Sequence, residues 1–357
     1  MTKKVLVINP FGIGDAIFSM ELVEALKMSL PQVSVGFLGN ERTITLLRMN
    51  AHIDVCHEFN RDVLRAERRK NPIAYMARAW RQLQEIRKEG YDTAFDLSLG
   101  REFSFAAFLA GIPRRIGFNY KERGFFLTKR LSLDSYEGVP VADRQLSLLR
   151  LIGIEPPPVP SKLPLKISPD AQVRAARLLT AQGVDVSRGF FAVAPGGGKS
   201  WGEAASFKQW APERFGKAAE AWSKKTGLSV LFIGDGGETA LLSEAKRSVS
   251  APSAMIAGED LETAAALLQN AKFLLCNDGG LLHLANALGV KTVSIYGPVD
   301  EKTYGPYGQD TPHAVLIEPV PCRPCYKNFY FPPCPHARRC LDELSVEKVL
   351  VAMQQIS

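Results

Sequence analysis

Two glycine-containing loops in this 357-residue chain hold acidic residues at positions suited to chemistry. In the first, FGIGDAIF, Gly12 and Gly14 permit a tight turn between a strand and a helix, and Asp15 stands at the helix start. One interpretation is that Asp15 only caps the helix, because Asp is a preferred N-cap residue. Another is that this carboxylate acts as a general base on a hydroxyl group. A dinucleotide-binding motif is a third interpretation, and Ile17 in place of the last glycine counts against it.

The second loop is CNDGGLLHLANALG, in which Asp278, Gly279 and Gly280 follow a predicted strand and open a helix. Backbone N–H groups at a helix start, together with the helix dipole, favour an anionic ligand. We therefore expect a diphosphate to bind there. His283 lies one turn inside this helix, close enough to help hold phosphate or sugar oxygens. The alternative is that His283 is a packing residue, the commoner role of a single histidine in such a helix.

Four of the six cysteines lie in the C-terminal part of the chain. They are Cys322, Cys325, Cys334 and Cys340. The spacing C-x2-C-x8-C-x5-C permits a tetrahedral thiolate site for a structural zinc or iron ion. Four reduced thiols without a metal are the alternative. Cys56 and Cys276 lie in apolar stretches and are predicted to be core residues.

A basic segment precedes a predicted amphipathic helix in the first half of the chain. Arg61 and Arg65 belong to this segment, and the apolar positions of the helix are Ile73, Met76, Ala77, Trp80 and Leu83. We expect the apolar face to pack in the core and the basic rim to remain exposed. The rim suits an anionic acceptor or the inner membrane leaflet, and an ordinary solvated surface is the alternative.

Composition and charge narrow the class of protein. Hydrophobic residues make up 46% and charged residues 23%, which is typical of a soluble globular protein. No apolar run approaches the roughly 20 residues that cross a bilayer, and the N-terminus does not resemble a signal peptide, so we expect a cytoplasmic protein. Residues 1–150 carry 23 Lys and Arg against 17 Asp and Glu, so six of the seven net positive charges lie there. The first half therefore suits an anionic partner.

Predicted strands and helices alternate along the chain, starting with the strand KVLVINP and a helix from about Asp15 to Leu30. Such alternation predicts a parallel sheet with helices on both faces. The segment EPPPVPSKLP, residues 155–164, is the predicted linker because proline disfavours helix and central strand. Alternation restarts beyond it. The sequence therefore predicts two doubly wound α/β domains, residues 1–160 and 161–357, with ligands at the carboxyl ends of their strands.

Several blocks in order resemble glycosyltransferase family 9, the ADP-heptose:lipopolysaccharide heptosyltransferase family. They are GIGD at 12–15, PRRIGF at 113–118, KQWAPERF at 208–215, GDGGE at 234–238, NDGGLLHLANALG at 277–289 and YGP at 296–298. The resemblance implies a GT-B architecture, in which two Rossmann-like domains face a central cleft. The first domain would bind the acceptor and the second the nucleotide sugar, and the last helix can pack back on the first domain.

The resemblance also implies roles for individual residues. Asp15 would be the catalytic base of an inverting transfer that needs no catalytic metal. The donor-binding residues would be Lys208, Glu238, Asp278, Gly279, Gly280 and His283, with Lys199 competing with Lys208 for the phosphate. The acceptor-binding residues would be Gly14, Arg115 and Arg123, and the charge of the basic segment adds Arg61 and Arg65 as candidates. Two positions depart from the family pattern. Glu21 occupies a position where the family usually has a proline, and Gly279 one where it usually has Ser or Thr.

We accordingly expect a cytoplasmic heptosyltransferase that uses ADP-heptose and a lipopolysaccharide-type acceptor, with peripheral contact to the inner membrane and no nucleic-acid partner. A sugar-nucleotide-binding protein without turnover and a dinucleotide-dependent oxidoreductase are the alternatives. The presence of Asp15 counts against the first, and the incomplete glycine motif counts against the second.

Overall fold

The computed structural model describes residues 2–60, 70–160, 162–308 and 310–357, and it leaves the side chains of residues 199–203 undescribed. The chain divides into two compact units, Met1–Val159 and Pro160–Ser357. Each unit contains a six-stranded sheet in which neighbouring strands are parallel. The predicted doubly wound α/β fold is confirmed. Within the described ranges, no helix is both long and apolar enough to cross a membrane.

The described part of the first unit has its strands in the order β3-β2-β1-β4-β5-β6. The strands are β1 (Lys4–Ile8), β2 (Ser34–Asn40), β3 (Val55–Phe59), β4 (Thr93–Asp96), β5 (Arg114–Tyr120) and β6 (Lys129–Leu133). The helices are α1 (Ile13–Ser29), α2 (Ile44–Met49), α3 (Pro72–Glu89), α4 (Glu102–Leu109) and α5 (Val141–Ser147), and a 3-10 helix spans Leu148–Ile152. The strand order reverses between β1 and β4. The loops after these two strands therefore flank the point where open α/β sheets bind ligands.

Helix α1 is buried on every side from Ala16 to Leu26, and this stretch includes two glutamates. Glu21 is only 1% exposed, and burial, with a smaller effect of Glu24, raises its pKa to about 9. The Glu24 carboxylate lies 2.8 Å from Nδ1 of His52. The position where the family usually has a proline thus holds a carboxyl group that stays protonated at neutral pH.

Helix α3 has well-defined ends. The side-chain oxygen of Asn71 accepts a hydrogen bond from the backbone N–H of Ala74 at 3.0 Å, and Pro72 occupies the first turn. The helix ends at Gly90, whose φ of 67° is the left-handed conformation that glycine adopts without strain. These signals fix an 18-residue helix irrespective of how much of it is buried.

Only the C-terminal half of α3 packs on the sheet, where Ile86 is buried and Leu83 lies against the same core cluster. In the N-terminal half, Ile73, Met76 and Trp80 are 81%, 68% and 60% exposed. The prediction that the apolar stripe packs in the core is therefore wrong for these three residues, and it is also wrong for Ala77, which is exposed. At 1.5 Å per residue the helix is about 27 Å long, and its first turns extend beyond the core that its last turns cover.

The described part of the second unit has the strand order β12-β11-β10-β7-β8-β9. The strands are β7 (Phe190–Ala194), β8 (Ser229–Gly234), β9 (Ser253–Ala257), β10 (Leu274–Asn277), β11 (Thr292–Tyr296) and β12 (His313–Ile317). The α-helices are α6 (Pro169–Ala181), α7 (Pro212–Thr226), α8 (Thr239–Lys246), α9 (Leu261–Gln269), α10 (Gly280–Ala287), α11 (Glu301–Tyr304), α12 (Arg339–Asp342) and α13 (Val346–Ile356), and 3-10 helices span Lys199–Lys208 and Gly236–Glu238. Here the order reverses between β7 and β10.

The core of the second unit includes the fully buried Trp210, whose ring lies edge-on to Phe215 at 5.0 Å between centroids. Helix α13 packs against α7 and β12 of the same unit and buries Val349 and Met353. Of the two cysteines predicted to be core residues, Cys276 is buried. Cys56 is only partly buried, because it lies on β3 at the edge of the first sheet.

Candidate functional site

Asn277 joins the loops that follow β7 and β10. Its side-chain N–H donates to the carbonyl of Pro195 at 2.7 Å, and its side-chain oxygen accepts from the backbone N–H of Trp210 at 3.0 Å. Only 2% of Asn277 is exposed. Because Asn277 is the last residue of β10, these bonds hold the start of α10 next to the loop after β7. Asn277 was not predicted as a site residue, although its place before Asp-Gly-Gly at a strand end was a usable signal.

Lys208 and Asp278 form a buried ion pair at the start of α10. The Lys208 Nζ lies 2.6 Å from Oδ2 of Asp278, and the two side chains are 8% and 7% exposed. A buried charge is tolerated when it is paired, so each residue fixes the position of the other. Lys208 thus lies beside the N-terminal end of α10, which begins at Gly280. The structure brings these three predicted donor-binding residues together.

His283 lies in the same cluster. Its Nε2 is 3.9 Å from Oδ1 of Asp278, and the residue is 5% exposed. Burial lowers the His283 pKa to about 4, with the Asp278 carboxylate opposing this effect and Lys208 reinforcing it. The imidazole is therefore neutral at pH 7. It can form a hydrogen bond to an oxygen atom without adding charge to the site.

Gly279 has no backbone requirement for glycine. Its φ of 176° and ψ of −177° are extended values that any residue adopts. A Cβ atom at this position would lie 3.6 Å from backbone atoms of Gly197, an ordinary van der Waals contact. The departure from the Ser or Thr of the family therefore removes a hydroxyl group without relieving a steric conflict.

Glu238 connects the loops after β7 and β8. Its Oε1 accepts from the N–H of Gly198 at 3.1 Å, and its Oε2 accepts from the N–H of Asp235 at 3.0 Å. A Cβ on Gly196 would come within 2.0 Å of Oε1, so any larger residue there would displace the Glu238 carboxylate. Each carboxylate oxygen can accept a further hydrogen bond. The ribose-binding role of Glu238 stays a prediction. The side chain of Lys199 lies outside the described residues.

Asp15 lies in the first turn of α1, directly after β1 in the first unit. Its Oδ2 accepts from the N–H of Gly12 at 3.3 Å, and its backbone carbonyl accepts from the Asn9 side chain at 3.1 Å and from the Ser19 hydroxyl at 2.9 Å. Gly12 is the N-cap residue, so Asp15 is the third residue of the helix. The carboxylate is partly exposed at the carboxyl end of β1.

Asp96 and Tyr136 also lie at this edge of the first sheet, near Asp15. Neither was predicted as a site residue from the sequence. Asp96 ends β4, next to β1, and its Oδ1 accepts from the N–H of Ser98 at 3.0 Å. Burial raises the pKa of Asp96 to about 6. Burial also raises the pKa of Tyr136, and the carboxylates of Asp15 and Asp96 raise it further. The sequence YDTAFD, in which an acidic residue ends a short apolar stretch, was the available signal.

Two of the five predicted acceptor-binding residues, Arg61 and Arg65, lie outside the described residues. The Arg115 guanidinium donates to the carbonyl of Phe126 at 2.7 Å and lies 5.3 Å from the ring centroid of Phe108. These contacts give Arg115 a structural role. Arg123 is exposed in the turn after β5, and Gly14 lies in the first turn of α1. Binding of an acceptor by these three residues stays a prediction.

The four C-terminal cysteines all lie in the segment 322–340. The Cys325 thiol donates to the carbonyl of Cys322 at 3.1 Å, and the N–H of Arg338 donates to Sγ of Cys334 at 3.4 Å. Burial raises the pKa of Cys325 to about 11, and the neighbouring thiols of Cys322, Cys340 and Cys334 add to this effect. Among the residues that the structure describes, however, no group of three or more His, Cys, Asp or Glu is arranged to hold a metal ion.

The segment 322–340 is called the cysteine loop below. It contacts the chain just after β11 and the segment just before Lys208. The carbonyl of Pro298, after β11, accepts from the N–H of Cys325 at 2.9 Å. The Arg338 guanidinium donates to the carbonyl of Ser206 at 2.8 Å, two residues before Lys208. The rings of Phe207 and Phe331 lie 5.0 Å apart. The cysteine loop therefore supports the segment that positions Lys208.

These features define a protein of the doubly wound class in which a helix starts at a strand-order reversal, a place where open α/β sheets bind ligands. The chain belongs to glycosyltransferase family 9 (heptosyltransferase), whose model matches residues 79–329. It is 25% identical over 306 residues to lipopolysaccharide heptosyltransferase 2 of Escherichia coli strain K12, covering 83% of each chain.

Solved structures share the fold over nearly the whole chain. The glycosyl transferase family 9 protein of Veillonella parvula has a TM-score of 0.79 at 20% identity, covering 99% of this chain and 97% of that one. The ADP-heptose lps heptosyltransferase II of E. coli has a TM-score of 0.74 at 21% identity, covering 99% and 98%. The dodecameric iron-containing heptosyltransferase TibC is more distant, with a TM-score of 0.56 at 12% identity, covering 99% of this chain and 76% of that one.

Membership in this family makes the chain a glycosyltransferase, and the predicted GT-B fold and family are confirmed. The oxidoreductase alternative is thereby set aside.

Proposed function

We propose that the protein transfers heptose from ADP-heptose to a lipopolysaccharide-core acceptor in the cytoplasm. The second unit would bind the donor and the first unit the acceptor. The names of the related heptosyltransferases support both the sugar and the acceptor class. The observation that carries the proposal is the Lys208–Asp278 ion pair beside the start of α10.

The diphosphate of the donor would lie at the N-terminal end of α10. Backbone N–H groups from Gly279 and Gly280 and the ammonium of Lys208 supply the positive potential there. The neutral His283 imidazole would hold a phosphate or sugar oxygen. Glu238 would accept a hydrogen bond from a ribose hydroxyl while keeping its bonds to the loop N–H groups.

Transfer would proceed by a single displacement. Asp15 would take the proton of an acceptor hydroxyl as this oxygen attacks the anomeric carbon on the face opposite the diphosphate. The bond from the anomeric carbon to the diphosphate oxygen breaks, ADP leaves with the electron pair, and the configuration inverts. Lys208 and the N–H groups of α10 would stabilise the charge that develops on the diphosphate.

The acceptor proposed is an anionic glycolipid. The excess of positive charge in residues 1–150 supports this class of partner. Gly14, Arg115 and Arg123 are the described candidates for contacting it, and Arg61 and Arg65 are the candidates from the basic segment.

We also propose that Cys322, Cys325, Cys334 and Cys340 hold one structural zinc or iron ion. Four thiols at this spacing form a donor set that suits either metal, and this spacing is what supports the proposal. The ion would tie the loop together without entering the transfer step. The iron-containing heptosyltransferase with the same fold is a precedent for metal in this class.

Two measurements test the transfer proposal. In the first, ADP-heptose should raise the melting temperature more than UDP-glucose or GDP-mannose, because a ligand that binds only the folded state stabilises it. In the second, the protein should transfer heptose to heptose-free lipopolysaccharide, and NMR should show inverted anomeric configuration. Selective binding without transfer would instead indicate the non-catalytic alternative, and retention of configuration would contradict the role of Asp15.

A further inference from the structure

One apolar stripe runs along the whole of α3. Ile73, Met76, Trp80, Leu83 and Ile86 recur at intervals of three or four residues, so they lie on one face of the helix. Leu83 and Ile86 pack into the core of the first unit. The three N-terminal members of the stripe are 60% to 81% exposed. The stripe therefore continues past the core with its apolar side chains in water.

The exposed part of the stripe lies towards the carboxyl ends of the strands. Helix α3 follows β3 and precedes β4, two strands that run parallel in the sheet, so the helix must run in the opposite direction. Ile73 lies about 20 Å along the helix axis from Ile86. Asp15, after β1, and Asp96, at the end of β4, belong to this same edge of the sheet.

The charged side chains on the N-terminal turns of α3 have one sign. Residues 70–84 include Lys70, Arg78 and Arg81 and contain no Asp or Glu. Lys70 and Arg81 are exposed. A helix with Trp and aliphatic side chains on one face and Lys or Arg beside them is typical of segments that lie in a membrane interface. The aliphatic stems of the basic residues add to the apolar area while their charged groups reach the lipid headgroups.

A second apolar patch, on α4, is a weaker candidate. Phe105 and Phe108 are 41% and 50% exposed, but both pack against Phe126, with ring centroids 4.8 and 6.0 Å apart. Arg115 also lies over the Phe108 ring. Part of the aromatic surface is thus already covered.

We infer that Ile73, Met76 and Trp80, with Lys70 and Arg81, form a docking surface for an anionic lipid leaflet. The apolar side chains enter the interface, and the basic residues contact lipid phosphates. The biological purpose of this docking rests on the proposed function, because docking here would bring a lipid-linked acceptor to the edge of the first sheet that holds Asp15. Lipid binding itself requires no acceptor and no donor.

Flotation with lipid vesicles tests the surface. Wild-type protein should bind vesicles of phosphatidylethanolamine with one-third phosphatidylglycerol at least about tenfold more tightly than vesicles of phosphatidylcholine. The double variant Met76→Glu/Trp80→Glu should lose this binding by a similar factor. Val351 is 59% exposed on α13 of the second unit, and the control Val351→Glu should bind as wild type does.

Three results would overturn the inference. They are wild-type protein that does not float with anionic vesicles, an α3 variant that floats as well as wild type, and equal loss in the Val351→Glu control. Gel filtration that shows a dimer abolished by Trp80→Glu, without vesicle binding, would assign the surface to a second copy of the chain instead. Circular dichroism and thermal unfolding of each variant verify folding, and affinity for ADP is measured separately. If no nucleotide binds while flotation behaves as expected, the proposed function fails and this inference stands.

Discussion

The ammonium nitrogen of Lys208 lies 2.6 Å from a carboxylate oxygen of Asp278, 70 residues further along the chain, and both side chains are almost fully buried. The pair has no net charge before the donor arrives. In the proposed binding mode, the backbone N–H groups at the start of α10 therefore supply much of the attraction for a diphosphate. Asp278 would act by holding the Lys208 ammonium in position beside them.

Replacing Lys208 with alanine should have two separable effects. Loss of a charge-assisted phosphate contact should weaken ADP binding about 10- to 100-fold, and the unpaired Asp278 should cost about 3 kcal/mol of folding free energy. The double variant Lys208→Met/Asp278→Asn should regain stability but not ADP affinity, as measured by calorimetry and thermal unfolding. The exposed Lys217→Ala serves as control. Recovery of ADP affinity in the double variant would contradict a phosphate role for Lys208.

Gly279→Ser should strengthen donor binding. The backbone is extended there and a Cβ meets only ordinary contacts, so the serine hydroxyl can donate to a phosphate oxygen without strain. A hydrogen bond to a charged group predicts about a tenfold lower Kd for ADP. Gly196→Ser, where the Cβ would collide with Glu238, should weaken binding in the same calorimetric titration. An unchanged Kd in Gly279→Ser would place the diphosphate elsewhere.

Asp15→Asn should lower kcat about 10²- to 10⁴-fold while ADP affinity stays near that of wild type, because a general base acts on the acceptor and not on the nucleotide. Asn retains an oxygen that can accept from the N–H of Gly12, so the helix start should survive. Asp134→Asn, at an exposed position of the same unit, is the matched control. Near-normal turnover of Asp15→Asn would remove this residue from the mechanism.

Glu21→Gln should stabilise the protein at neutral and alkaline pH. The folded-state pKa of Glu21 is raised from 4.5 to about 9, so the unfolded chain releases this proton more readily than the folded chain does. The contribution of Glu21 to the free energy of unfolding is therefore most favourable below pH 4.5. It falls as pH rises towards 9 and is about 3 kcal/mol less favourable at pH 7. Glutamine abolishes this slope. Urea unfolding from pH 5 to 9 measures it, with the exposed Glu58→Gln as control. Parallel slopes in wild type and Glu21→Gln would contradict the prediction.

Purified protein should contain about one zinc or iron ion per chain if the cysteine loop is a tetrathiolate site. Cys325→Ser should lower the melting temperature and raise the KM for the donor, because the loop contacts Ser206 and Pro298 beside the proposed donor site. The effect on kcat should be smaller. Cys56→Ser, a change outside the loop, should leave the metal content unchanged. Elemental analysis that finds no metal in protein prepared under reducing conditions without chelator would leave four free thiols as the correct description.

Local patterns along the chain were enough to predict the alternation of strands and helices and the places of Asp15 and Asp278 after strands, whereas Lys208 was identified only through the family resemblance. A strand that ends in a glycine-containing turn before a helix identifies the binding edge of an α/β sheet without any tertiary information. The order of the motif blocks then identified the family.

Contacts between distant parts of the chain could not be predicted in this way. The bond from Trp210 to Asn277 spans 67 residues, and that from Arg338 to Ser206 spans 132. The exposure of Trp80 also escaped prediction, because helical periodicity identifies an apolar face but not how far the core beneath it extends. The convergence of Asp96 and Tyr136 on Asp15 depends on sheet order, which hydropathy does not encode.

The bonds of Trp210 have a consequence for how the protein is made. Its backbone N–H donates to the side-chain oxygen of Asn277, and its indole N–H donates to the carbonyl of Leu344 at 3.1 Å. During synthesis on the ribosome, Leu344 emerges long after the residues that form the first sheet. A nascent chain can complete the first unit while the indole of Trp210 still lacks its partner. Nucleotide-binding competence should therefore appear late in translation, only after the segment that precedes α13 has left the exit tunnel.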